Sequence, residues 1–356
     1  MSGHVYIASA GLITATGGTA DMVGAVYRTG ISAFQRANYF THDHHLITLA
    51  QVPEESLPPL AESFDSSACS LRDQRLMRMM QVAAEQALQS RNGEPVPLLL
   101  AGPENYRGLN HQLSKDFFAH FAQQVDLPID YSQSRINSLG RAGVLEALRL
   151  AYHYLLELNY PFVLIGGVDT AQNSAWLQML DQDQRVKSER PGVSDSFVPG
   201  DGAGCLLLTA DPTLAMRKDN YIFALTPPGF GHELGHLYSD EAYLGEGLHE
   251  AVQHALEYLP EPLKVSHLYS SANGESFWAK ELGIAMTRAN HRLHNLRHEH
   301  PADTYGDIGA ATGAALICLA SYDMRHATTP SPCLITTAAD HAFRAAVCLI
   351  PERIEP

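Results

Sequence analysis

The sequence is poor in positive charge, in cysteine and in long apolar runs, and each shortage closes off a class of protein. Lysine and arginine number 24 against 39 acidic residues, a formal net charge of −15. A field of that sign repels polyanions, which argues against generic binding to nucleic acid or to an anionic membrane. It also works against docking an acidic partner unless a local basic patch overrides it. The five cysteines, Cys69, Cys205, Cys318, Cys333 and Cys348, are scattered and show no CxxC spacing. That pattern points to reduced thiols in a cytoplasmic protein, not to a disulfide framework or a zinc site. No apolar run approaches the ~18 residues that suggest a membrane span. The opening MSGHVYIASAGLIT lacks a basic run ahead of its apolar stretch, so it reads as a first strand and not as a signal peptide. What is present is 45% hydrophobic and 18% charged residues, the composition of a well-buried globular chain. The length of 356 residues allows two ordinary domains or one large duplicated one, at ~150 residues per domain.

Strand and helix signals alternate along the chain, the pattern of an α/β protein. Strands are expected at 4–9, 97–101, 161–165 and 204–209, with helices over 74–88 and 142–158. The order then begins again: a strand at 221–226, a helix at 248–256, a strand at 267–270, a helix at 309–320 and closing strands at 333–337 and 345–350. This repetition of elements divides the chain into halves 1–215 and 216–356 that share one layered body. The polar stretch 181–192 reads as a surface loop. Arg72, Arg75 and Arg78 share a helix face and read as solvated arginines.

Four segments in order carry a resemblance to the β-ketoacyl synthases of the thiolase superfamily. They are Val5–Thr14, the strand Leu164-Ile165-Gly166-Gly167-Val168-Asp169, the loop Pro199-Gly200-Asp201-Gly202-Ala203-Gly204 with Asp for the usual Glu, and the turn Gly306-Asp307-Ile308-Gly309 into a late helix. The resemblance implies the thiolase fold, a five-layered αβαβα body of two similar halves. It also implies a cysteine at a helix N-terminus, whose dipole favours the thiolate, and two histidines that stabilise an enolate. Aligned with that pattern, Asn137 stands at the cysteine position, Asn273 at the first histidine and Asp307 at the second. Asparagine offers no ionisable nucleophile, and a carboxylate facing a developing enolate raises the barrier. The family's C-terminal glycine gate is replaced by Ala338-Ala339-Asp340-His341. Condensation chemistry is therefore expected to be lost, with these positions vestigial and no catalytic residue assigned.

Other motifs have plainer readings. His232-Glu233-Leu234-Gly235-His236 fits the HExxH zinc pattern, but Pro227-Pro228-Gly229 precedes it where a helical turn would be needed. His42-Asp43-His44-His45 reads as a polar loop, Cys205 as a core thiol, and Ser138 as a helix cap or a polar group of the pocket. His291, His294, His298 and His300 read as a polar helix end. No metal or cofactor is expected.

Three functions remain in view. One is a non-catalytic binding or scaffold protein; the sequence resembles ketosynthase-like proteins of bacterial type VI secretion clusters, which implies an adaptor or co-chaperone for effectors. The second is a chain-length-factor-type subunit pairing with an active ketosynthase. The third is an enzyme reusing the pocket for acyl transfer or hydrolysis. The first two require a protein partner and a homo- or heterodimer.

Overall fold

The computed structural model describes residues 3–89 and 93–354. The first half runs β1 (Val5–Thr14), α1 (Ala20–Thr29), β2 (Gln35–Phe40), β3 (Leu46–Leu49), α2 (Leu71–Leu88), β4 (Leu98–Ala101), α3 (Phe117–Gln124), β5 (Arg135–Asn137), α4 (Gly143–Leu156), β6 (Val163–Asp169), α5 (Ser174–Gln182) and β7 (Gly202–Thr209). The second runs β8 (Arg217–Lys218), β9 (Tyr221–Leu225), β10 (Gly229–His232), α6 (Glu246–Glu257), β11 (Val265–Ser270), α7 (Ser276–Arg288), β12 (Leu293–Glu299), α8 (Ala302–Tyr305), α9 (Thr312–His326), β13 (Cys333–Ala338) and β14 (Phe343–Arg353).

The main sheet follows the order β12-β11-β13-β14-β9-β1-β7-β6-β4-β5, while β2 and β3 pair separately. Counting the main strands of each half from one to five, the sequence β5-β4-β6-β7-β1 and the sequence β12-β11-β13-β14-β9 have the same connectivity. The two sets meet where β1 pairs antiparallel with β9, Val5 opposite Leu225 and Tyr6 opposite Ala224.

Between the two sets lie α4 and α9, and their burial explains their place. Ten consecutive residues of α9, Thr312 to Ser321, are buried, as befits a helix enclosed on all sides. Val144, Leu145, Leu148 and Ala151 of α4 join the same core with Leu316 and Leu319 of α9. Each such leucine withdrawn from water contributes about 1.5–3 kcal/mol. On the outer faces, α2 and α3 cover the first set through Leu76, Met79, Met80, Phe117 and Phe121. On the other side, α6 and α7 cover the second set through Leu248, Val252 and Leu282. The layers are therefore αβαβα. Strands β6 and β7 are buried along their whole length because helices cover both faces.

Several local expectations change. Asp181–Gly192 is not all surface loop: α5 extends to Gln182, and Arg185 turns inward and is buried. The histidine-rich stretch is not a helix end; Leu293–Glu299 is an edge strand parallel to β11. The arginines of α2 are not solvated. Arg75 is buried and donates to Asp201 Oδ2 at 2.6 Å and to the Val52 carbonyl, while Arg72 donates to the His111 carbonyl at 2.6 Å. They sit under the loops that follow β3 and β4 and supply donors to acceptors that burial would otherwise leave unpaired. Cys205 is a core thiol in β7, as expected. Among the described residues no helix is long and apolar enough to cross a membrane.

Candidate functional site

The site lies where the turn into α4 meets the ends of β11, β13 and the turn before α9. Asn137 ends β5 and fixes that turn: its Nδ2 donates to the Gly143 carbonyl at 2.9 Å and its Oδ1 accepts the Leu139 N–H at 3.3 Å. Gly140 follows at φ 52, a conformation glycine tolerates, and a Cβ there would lie 2.9 Å from the Glu104 side chain. Arg141 is thereby aimed across the gap. Its guanidinium donates to Asp307 Oδ2 at 2.6 Å, to Asp340 Oδ1 at 2.5 Å and to the Ala338 carbonyl at 2.8 Å. It also lies over the Trp278 ring, 4.5 Å from its centre.

A second arginine completes the cluster. Arg185 grips Glu275 with two bonds, 2.7 and 3.0 Å, and reaches Asp340 Oδ2 at 2.8 Å. Asn273 bridges the acids, donating to Asp307 Oδ2 at 2.9 Å and to Glu275 Oε2 at 3.0 Å. Trp278 donates to the same Glu275 oxygen, and Tyr106 donates to Asp340 Oδ2 at 2.9 Å. Tyr238, from the loop after β10, accepts from Arg185 at 2.6 Å and closes the mouth edge-on to Tyr106.

All the charged members are buried, so the pairing must repay a large desolvation cost. Burial alone would lower the Arg141 pKa, but Asp307 and Asp340 raise it above the usual arginine value. Burial would raise Asp340, yet Arg185 and Arg141 hold it well below the usual carboxylate range. Deeper in, burial pushes Asp169 up to about 7, against the pull of Arg72. His111, 3.9 Å from Asp169, is lowered by burial to about 3 and stays neutral. Between these side chains a cavity of about 20 Å³ remains, room for one water molecule and not for an acyl chain.

The structure thus brings Asn273 and Asp307 together, while the Asn137 side chain holds the turn and the reaching side chain is that of Arg141. Ser138 does not cap a helix; Leu139 holds the N-cap position of the Gly140–Ala142 turn. Nor does a thiol line the cavity. Four of the five cysteines are buried in β7, α9, β13 and β14, and burial raises those of Cys318 and Cys348 to about 12. The HExxH residues begin at the end of β10 and continue into a turn, so the two imidazoles do not share a helix face. Glu233 is buried and accepts the Gly235 and Gly247 N–H groups. His42 and Asp43 lie in the turn between β2 and β3, tied to Asp181 and Arg190.

Supporting this arrangement, Asp201 of the glycine-rich loop accepts the Thr170 hydroxyl and the Ala171 N–H, each at 2.8 Å, beside its pair with Arg75. The loop in turn pairs with the other side of the site, Gly200 N–H to the Asp307 carbonyl at 2.7 Å.

The fold superposes on those of solved ketosynthases. A ketosynthase in complex with its chain length factor from Xenorhabdus doucetiae superposes with a TM-score of 0.75 at 14% identity, over 98% of both chains. This is the ketosynthase fold. A type II polyketide-synthase ketosynthase bound to a hexaketide, in complex with its acyl-carrier protein, superposes at 0.72 and 13% identity over 99% of this chain and all of that one. The module 6 ketosynthase of the Bacillus subtilis 168 bacillaene synthase matches at 0.72 and 14%, covering 98% of this chain and 72% of its own. Neither a family model nor a curated protein matches the sequence. Within the ketosynthase fold, the residues that sequence reasoning missed are Arg141, Arg185 and Asp340. The glycines on both sides of Arg141 were the only local signal, since its partners lie 166 and 199 residues away.

Proposed function

We propose that this chain keeps the ketosynthase body, halves 1–215 and 216–356, as a binding or scaffold protein and has given up acyl condensation. The observation that carries this reading is the Arg141 cluster. A guanidinium rather than a nucleophile faces Asn273 and Asp307, and the cavity holds about 20 Å³. An arginine cannot take an acyl group as a thiolate does. On this reading Arg141, and not the Asn137 aligned there from the sequence, fills the place of the family's cysteine, and Asn273 and Asp307 are vestiges of the two histidines. The partner is a protein: an effector or adaptor of a type VI secretion system, for which the chain would serve as adaptor or co-chaperone.

The chain-length-factor reading has its own support, since the solved neighbours include ketosynthase–chain length factor pairs. A cavity of about 20 Å³ weighs against a subunit that shapes a product tunnel. Mass spectrometry after incubation with acetyl- and malonyl-thioesters is expected to find no covalent adduct and no decarboxylated product. Either would overturn the non-catalytic reading. Co-purification with an active ketosynthase would favour the second partner over the first.

A further inference from the structure

The main sheet ends in two edges of different character. β5 is three residues long, whereas β12 is seven. β12 pairs only with β11, and among the described residues no strand lies on its other side. With histidine counted as neutral, the strip 291–300 around it carries a formal charge of +1, opposite in sign to that of the molecule. Residues 291–300 contain His291, Arg292, His294, Arg297, His298 and His300 with one acid, Glu299, in a chain of net charge −15. Glu299 is turned inward and held by Arg28 and Tyr27. The Arg297 side chain, which also reaches Glu299, is 65% exposed. At the two ends of the strip Arg292 pairs with Glu261 and His300 with Asp303, leaving His294 and Arg297 facing outward between them.

We propose that the β12 edge receives an acidic peptide in extended conformation, added as a further strand. Free backbone groups of an edge strand supply affinity to an incoming strand, and flanking side chains select its sequence. A charged edge also guards against indiscriminate pairing, but a strip in which cations outnumber acids does so selectively, favouring acidic strands over basic ones. Asn295, at φ 46, bulges the strand and confines regular pairing with β11 to Arg297–Glu299. The inference goes beyond the scaffold reading, because this edge is available whether or not the chain turns over an acyl substrate.

The test is fluorescence anisotropy with a labelled peptide of alternating Glu and Val, beside a Lys-for-Glu peptide and a Glu peptide interrupted by prolines, which cannot donate to a ladder. Binding of the first peptide alone is expected. Arg297→Glu and His294→Glu should each weaken it about tenfold or more, with far-ultraviolet circular dichroism verifying that both variants fold. Equal binding of the proline-containing peptide would overturn strand addition. Unchanged affinity in both variants, or no binding at low salt, would overturn the site. A dimer in sedimentation that dissociates on His294→Glu would give the edge to a second copy and overturn the acidic-peptide assignment.

Discussion

At the scale of single residues, the molecule turns on whether a buried guanidinium is matched by its surroundings. Arg141 gives three of its donors to two carboxylates and a carbonyl. Truncating it leaves Asp307 without a cationic partner, held by Asn273 alone, while Arg185 still pairs with Asp340. Breaking a buried pair from one side costs about 3–5 kcal/mol. Arg141→Ala is thus expected to lower the urea midpoint by that equivalent; a loss under about 1 kcal/mol would mean that water already fills the cluster. Arg141→Lys keeps the charge but not the fork and should fall between the two. In the sequence, the direction of Arg141 was not legible. Alignment with the resembling family pointed to Asn137, because nothing local says which residue of a turn looks inward. That is settled by acids from the other half of the chain.

At the scale of elements, apolar runs were the readable part. Leu98–Ala101 and Val163–Ile165 are strands wherever they are placed, since both faces are covered. By contrast, α5, α7 and β12 carry mixed polar surfaces, and their states depend on the neighbours they meet. Arg75 shows the same limit: it looks like a surface residue on an amphipathic helix until the glycine-rich loop is laid over it. Asp201, fully buried, fastens that loop to α2 and to the end of β6. Asp201→Ala should therefore cost about 3–5 kcal/mol and make the segment preceding the loop more easily cut by protease. Asp201→Glu, which restores the commoner residue of the resembling family, should still cost about 1–3 kcal/mol here, because one methylene more overfills a packed site. A melting temperature unchanged by the glutamate would show that the loop has slack.

At the scale of the whole molecule, the internal ionisations set a pH profile. Asp169 has an ordinary pKa of 3.8 and is raised by burial to about 7 in the fold. Between those values the folded state binds more protons than the unfolded chain, so stability falls as pH rises through that window. The loss reaches roughly 4 kcal/mol above pH 7. Asp340 works the other way: its folded pKa is depressed, so its stabilisation is present above the ordinary carboxylate range and is lost in strong acid. The His341–Glu104 pair raises the histidine, and that contribution is complete below the ordinary histidine value and fades as pH rises through the raised one. His111, lowered by burial from 6.5 to about 3, works against Asp169, since its share of stability grows as pH rises between those values. Denaturation midpoints should therefore stay nearly level across mildly acidic pH and decline only near neutrality, and Asp169→Asn should remove that decline. A decline that survives this substitution would assign it to another group.

The arrangement around Arg141 has a consequence for descent. Arg141→Cys alone would place a thiol at the turn but leave the buried Asp307 without a cation, held by Asn273 alone. Restoring a histidine at Asn273 or Asp307 alone would place another cation or a bulky ring beside two arginines. Each single step back passes through a variant less stable than its parent, whereas neutral drift elsewhere is free. On the proposed reading, the cluster acts as a ratchet: a lineage that has exchanged its nucleophile for this ion network is held there by folding itself, independently of any selection on what the protein binds.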